Sequence, residues 1–282
     1  MTDQFSIRTM GASELDIAIG WAEREGWNPG RGDRDAFLAA DAEGFLMGFL
    51  GDEPVTAISV VRYGPAFGFL GFYICRPDQR GKGLGWRTWQ AGLERLDGRT
   101  VGLDGVVAQQ DNYRRSGFVL EHRNIRFAGA PVLAAPADPR LVRVAGGNVA
   151  GVIAFDNGYF PAPRPRFLEA WLDGRGGRRA YALIADGGIE GYGVIRPAVS
   201  GFKIGPLFAR TAEGADVLFR ALAAEAGGET IIIDCPEPNA AAQSLVARYA
   251  LSPAFETARM YRGTAPVLPL DSIFGITSFE LG

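Results

Sequence analysis

Histidine is almost absent from this chain: His122 is the only one in 282 residues. A two-histidine zinc site of the H-E-x-x-H kind is therefore excluded, and no G-x-S-x-G elbow accompanies His122 to build a serine hydrolase triad. The only cysteines are Cys75 and Cys235. They fall in predicted buried strands of different halves, so neither a disulfide nor a metal site is expected. No apolar run approaches the roughly 20 residues that span a bilayer. The first residues lack the basic-then-apolar pattern of a signal peptide, which leads to the expectation of a cytoplasmic protein with no membrane partner. Charge of one sign is missing too. The formal net charge is −3, and the modest arginine cluster Arg114, Arg115, Arg123 and Arg126 does not make a nucleic-acid binder.

What is present is ample apolar material, 47% hydrophobic against 22% charged residues, in a chain long enough for two domains. The most informative stretch is a strand-to-helix junction. Phe67 to Cys75 reads as a buried strand. Beyond it Trp86, Trp89, Leu93 and Leu96 recur at one-face helical spacing. Between them lie Arg80-Gly81-Lys82-Gly83-Leu84-Gly85-Trp86. Glycines let the backbone approach a ligand, and a helix start offers unpaired N–H groups and partial positive charge, so the junction reads as a pyrophosphate cradle rimmed by Arg80 and Lys82. It is not a Walker loop, because Gly83 rather than Ser or Thr follows Lys82. Nor is it the dinucleotide fingerprint, because the glycine spacing is G-x-G-x-G.

Arg80-x-x-Gly83-x-Gly85 resembles the acyl-CoA loop of GNAT acetyltransferases, Arg/Gln-x-x-Gly-x-Gly/Ala. Downstream, Tyr113 precedes Gly117-Phe118 at the spacing at which that family commonly carries a tyrosine beside the CoA sulfur. The family's asparagine seven residues earlier is missing; Val106 stands there. The resemblance implies acetyl transfer from acetyl-CoA, as cosubstrate and without a metal, to an amine that attacks the thioester directly. It assigns the cradle, Arg80 to Trp86, to the cosubstrate. It makes Phe72, Tyr73 and Ile74 the source of a backbone donor for the carbonyl oxygen, and Tyr113 the proton donor to the thiolate. It also puts Trp27 and Asn28, in the loop between the first two helices, at the acceptor pocket. Strand alternation places Asp104 on one face with Gly102 and Val106, where a carboxylate could serve as base or as anchor for the amine.

The second half repeats the element order, with a boundary in the Ala- and Pro-rich linker 129–139 between an N-terminal domain, 1–128, and a C-terminal one, 140–282. Its cradle has decayed to Arg210-Thr211-Ala212-Glu213-Gly214-Ala215-Asp216, whose carboxylates suit a helix start but repel a diphosphate. Val246 stands where the tyrosine would be, while Asn239-x-x-Ala242-x-x-Leu245 resembles the family's helix. The expected fold is thus α/β (α+β): two tandem GNAT-like domains, each a mixed, mostly antiparallel sheet flanked by helices, with one working site in the first. The rival reading is a non-catalytic acyl-CoA-binding or sensing protein. A small-molecule or peptide amine is the expected acceptor, and the protein is expected to be a monomer or homodimer. The apolar C-terminal run from Asp271 to Gly282 should be buried. It is expected to cover the second half's sheet; the alternative is a crossing to the first half, where it would wall the acceptor cleft.

Overall fold

The structure is a computed structural model and describes residues 4–282. The first half runs β1 (Phe5–Thr9), α1 (Ala12–Arg24), α2 (Arg34–Ala40), β2 (Phe45–Leu50), β3 (Glu53–Tyr63), β4 (Phe67–Cys75), α3 (Leu84–Arg95), β5 (Thr100–Val106), α4 (Gln110–Arg115) and β6 (Val119–Gly129). The second repeats it as β7 (Leu141–Arg143), α5 (Val149–Asp156), α6 (Pro165–Leu172), β8 (Arg179–Ala185), β9 (Gly188–Pro197), β10 (Phe202–Ala209), α7 (Ala212–Ala224), β11 (Ile231–Pro236), α8 (Ala240–Arg248) and β12 (Ser252–Arg262). A last short strand, β13 (Ile273–Gly275), has no counterpart in the first half.

Local chemistry accounts for most boundaries. Ser13 and Asp16 have the residue types and spacing of a capping pair, yet they do not cap α1. Gly11 is the N-cap, and its backbone N–H donates to Glu14 Oε2 at 2.8 Å. Asp16 instead accepts from Arg34 at 2.7 Å, tying α1 to α2.

All the strands join in one sheet, ordered β1-β2-β3-β4-β5-β12-β6-β11-β10-β9-β8-β7, with β13 beside β10. Only β4 with β5 and β10 with β11 pair in parallel, so the sheet is mixed and mostly antiparallel. The two halves exchange their last long strands. β12 pairs with β5, and β6 pairs with β11, while β6 and β12 pair with each other down the middle. Neither half therefore completes its sheet alone.

Buried ion pairs follow the exchange. Arg126 of β6 grips Asp234 of β11 with two bonds of 2.7 and 2.9 Å, and Arg259 of β12 grips Asp104 of β5 with two of 2.7 Å. Ahead of α2, Asp33 accepts from Arg196 of β9 at 3.1 Å. Removing one member of such a pair would strand a buried charge, although the intact pair adds little net stability. An apolar layer backs them: Phe37 of α2 stacks on Trp171 of α6, ring centroids 6.3 Å apart.

Candidate functional site

β4 and β5 run parallel from Phe67/Thr100 to Leu70/Leu103 and then part. At the parting β4 carries a bulge. Ser59 pairs with Gly71 and Ala57 with Ile74, so Ile58 alone opposes Phe72 and Tyr73. Phe72 holds the left-handed φ of 45°, unusual for a bulky residue, and its ring is locked edge-on against Phe37 at 5.9 Å. A cleft of about 350 Å³ opens there. Phe72, Tyr73 and Ile74 line it from β4, Asp104 to Val106 from β5, and Tyr113 from α4.

At the mouth lies the glycine-rich loop. Gly83 is the N-cap of α3 at φ 77°, and no side chain caps the helix, so its first amides are open to a ligand. A Cβ at Gly81 or Gly83 would meet no protein atom within 4 Å, and both positions need positive φ. Gly85 is glycine for another reason: a Cβ there would come within 3.0 Å of the Tyr73 hydroxyl oxygen, so it sets how closely α3 packs on β4. Arg80 donates to the Cys75 carbonyl at 2.9 Å and to the Glu25 carboxylate. Lys82 reaches Gln79 at 2.8 Å, and Trp86 stands exposed on the first turn of α3. The residues expected at a cradle are together, their cations held by solvent-exposed bonds.

Tyr113 is buried, stacked on Trp89 at 5.5 Å, with its ring over Gly105. Burial pushes its hydroxyl up to about 12, as it does for Tyr73, so both are proton donors rather than acceptors at neutral pH.

Two expected site residues do other work. Asp104 borders the cleft, but both of its oxygens are taken by Arg259, and Asn124 donates to one of them at 2.8 Å. It is a structural ion pair of the exchanged strands rather than a base. Asn28 turns away and clips the halves together: its amide donates to the Ser200 carbonyl at 3.0 Å and its oxygen accepts from the Ser200 N–H at 2.8 Å. Trp27 does line the cleft, while its carbonyl accepts from Arg126 at 2.8 Å.

The tail corrects the expectation most. It covers the second sheet and also crosses to the first. Ser59 donates to the Glu280 carbonyl at 3.2 Å and Tyr63 to the Leu281 carbonyl at 3.1 Å. Phe279 and Glu280 wall the cleft, facing Phe255 and Thr257 of β12. Apolar content showed that the run would be buried; nothing local showed against what.

The second half repeats the parting and the bulge. β10 and β11 pair from Phe202/Ile231 to Ile204/Ile233. Ile204 and Leu207 then flank a bulge at Gly205-Pro206 opposite Val194. Here the chain fills its own cleft. β13 pairs with β10 at Leu207 and Phe208, and the next residue, Ile276, donates to the Asp234 carbonyl of β11 at 2.9 Å. At the start of α7, Thr211 accepts from the Gly214 N–H at 3.0 Å, and Glu213 and Asp216 pair with Arg140 and Arg248.

His122 is a strand residue. It is buried on β6, and its Nδ1 has no partner. Among the described residues no cluster of potential metal ligands occurs, and no helix is long and apolar enough to cross a membrane.

A parted sheet with a bulge on one edge and an uncapped helix at its mouth fits the cradle that the resemblance implies, and comparison with known proteins identifies the class. The profile of the acetyltransferase (GNAT) family matches residues 15–118, and a second acetyltransferase (GNAT) domain profile matches 152–275. The chain is 34% identical over 270 residues to the holothin acyltransferase of Pseudoalteromonas sp. (strain SANK 73390), covering 95% of this chain and 92% of that one. Two solved structures share the fold. A putative acetyltransferase from Pyrococcus horikoshii superposes with a TM-score of 0.79 at 24% identity, over 99% of this chain and 96% of that one. A tandem GNAT protein from the clavulanic acid biosynthesis pathway gives 0.64 at 16% identity, over 93% and 100%. The chain belongs to the GNAT family, as a tandem acyltransferase.

Proposed function

We propose that the first half transfers an acetyl group from acetyl-CoA to an amine by direct attack, and that the second half carries no nucleotide site. One observation carries this reading. Of two clefts built alike, one is filled by an extended strand of the chain's own backbone, while the other is open and leads to an uncapped helix start. The filled cleft holds a narrow, extended chain with amide groups, bonded to the strands on either side. Pantetheine has that character. Acetyl-CoA supplies the activated thioester.

The protein's residues do the rest. First-turn amides of α3 hold the diphosphate, with Arg80 and Lys82 at its flanks. The bulge at Phe72 to Ile74 turns backbone toward the thioester, where a fixed donor stabilises the charge developing on oxygen. Tyr113, protonated throughout the neutral range, donates to the departing sulfur. The relative acts as a holothin acyltransferase; an amine-bearing small molecule is the acceptor class proposed here.

The test is calorimetry and thermal melting with acetyl-CoA, followed by thiol release with a panel of primary amines. Acetyl-CoA should raise the melting temperature of the wild type, and Gly83→Val, which sets a branched side chain over the loop at a positive φ, should abolish that rise. A Gly83→Val protein that still binds acetyl-CoA ends the cradle assignment. Binding without any thiol release favours the acyl-CoA sensor.

A further inference from the structure

We infer that Glu280, carried into the first half's cleft by the C-terminal tail, is the group that receives the acceptor's amine, and that the acceptor is an aryl- or heteroarylmethylamine. The inference rests on the proposed acetyl transfer and names its acceptor half-site.

Glu280 is 3% exposed, its Oε2 has no hydrogen-bond partner, and it forms no ion pair among the described residues. A buried carboxylate without a partner is costly, and native structures rarely leave one so. Two cations, Arg126 and Lys203, lie near enough to feel its charge, but neither donates a hydrogen bond to it. Arg126 is spent on Asp234, and Lys203 donates to the Trp27 carbonyl at 3.4 Å. A second orphan lines the same cleft: Thr257 Oγ1, buried and without a partner. The residues that carry them, Glu280 and Thr257, both line the cleft of about 350 Å³, so a turn of either side chain would bring an unsatisfied oxygen to an ammonium or amine held there.

Around them Trp27, Phe255 and Phe279 present aromatic surface, with Phe255 and Phe279 centroids 6.2 Å apart. Flat apolar walls with one anionic and one hydroxyl anchor select a ring bearing an amine over an aliphatic polyamine or a sugar. The second half then has a purpose that its filled cleft alone does not reveal. β13, threaded between β10 and β11, clamps the chain five residues before Glu280, and Ser59 and Tyr63 pin the backbone beyond.

In the reaction the amine nitrogen forms its bond to the thioester carbon as the carbon–sulfur bond breaks. Of the two protons that an ammonium sheds, one leaves to solvent through Glu280. The other restores the Tyr113 hydroxyl, replacing the proton that Tyr113 gives to the departing sulfur.

The test uses arylmethylamines and heteroarylmethylamines with the alcohols of the same rings. Binding to the full chain is measured by calorimetry with and without coenzyme A, so the half-site is read even if the nucleotide fails to bind. The wild type should prefer amine over alcohol by about tenfold or more. Glu280→Gln should erase that preference, and Thr257→Val should weaken it, both variants keeping the wild-type response to acetyl-CoA. Where turnover is seen, Glu280→Gln should lower kcat by about 100-fold, and Glu280→Asp should restore part of it. Equal binding of amine and alcohol by the wild type, or an unaltered preference in Glu280→Gln, overturns the inference. Absence of any acetyl-CoA response in the wild type instead strikes the acetyl-transfer reading.

Discussion

The backbone of Glu280 lies directly on Gly71: a Cβ at Gly71 would stand 3.0 Å from the Glu280 Cα and closer still to its carbonyl. The obstructing atoms are main chain, pinned by Ser59, so they cannot swing aside as a side-chain tip would. Gly71→Ala should therefore lift the tail off β4. Overpacking of this kind costs about 1–3 kcal/mol. The expected outcome is a lower melting temperature and a large loss of turnover with acetyl-CoA binding intact. A Gly71→Ala enzyme of full activity would show that the tail takes no part in the acceptor site.

Tyr113 gives a prediction with a pH signature. Its hydroxyl is pushed up to about 12, first by burial and next by Tyr73, so it keeps its proton well past the neutral range. Tyr113→Phe should retain acetyl-CoA affinity and lose about 10²-fold or more in kcat. In the wild type, kcat should show no alkaline fall below about pH 10 that can be traced to this group. Stopped-flow thiol release across pH reads both. An alkaline limb near pH 8 that vanishes in Tyr113→Phe would contradict the assignment.

His122 makes stability, rather than catalysis, sensitive to acid. Burial, then the Arg259 guanidinium, lowers it from 6.5 to about 4, so the folded protein holds it neutral. The unfolded chain begins to bind a proton near pH 6.5, the folded one only near 4. The stabilisation is complete above the first value and is lost as pH falls toward the second. Its size is about 3 kcal/mol at most, from roughly 1.4 kcal/mol per pKa unit. Urea midpoints at pH 7 and 4.5 should drop further for the wild type than for His122→Gln. Parallel drops would show that His122 is already protonated in the fold.

These residues also mark what the sequence could and could not disclose. Periodicity, glycine placement and apolar runs located β4 and α3 to within a few residues, because those signals are local. The cradle was legible for the same reason: its glycines, cations and helix start are consecutive. Pairing partners were not. Nothing in Val119–Gly129 says that its neighbours will be β11 and β12 rather than β5. Hence Asp104 read as a candidate base or amine anchor, when its partner Arg259 lies 155 positions away. Asn28 read as an acceptor residue because its bond to Ser200 spans 172 positions. Glu280 offered no signal beyond an apolar setting, since a carboxylate near a terminus ordinarily faces water.

The last prediction concerns Arg80 and Glu25, which pair across the mouth of the cleft. Arg80 is 51% exposed and Glu25 31%, and such pairs are worth about 1 kcal/mol or less, so a phosphate can displace the carboxylate at little cost. Glu25 then acts as a competitor for the guanidinium and as a negative charge beside an anion. Glu25→Gln should tighten acetyl-CoA by about two- to fivefold, whereas Arg80→Ala should weaken it by about tenfold, the range of a charge-assisted hydrogen bond. In the double variant the gain from removing Glu25 should shrink, because the guanidinium it competed for is gone. Calorimetry on the four proteins measures the coupling. Tightening of equal size with and without Arg80 would show that Glu25 acts by general charge alone. Weaker binding in Glu25→Gln would show that the pair holds Arg80 in place for the diphosphate, rather than away from it.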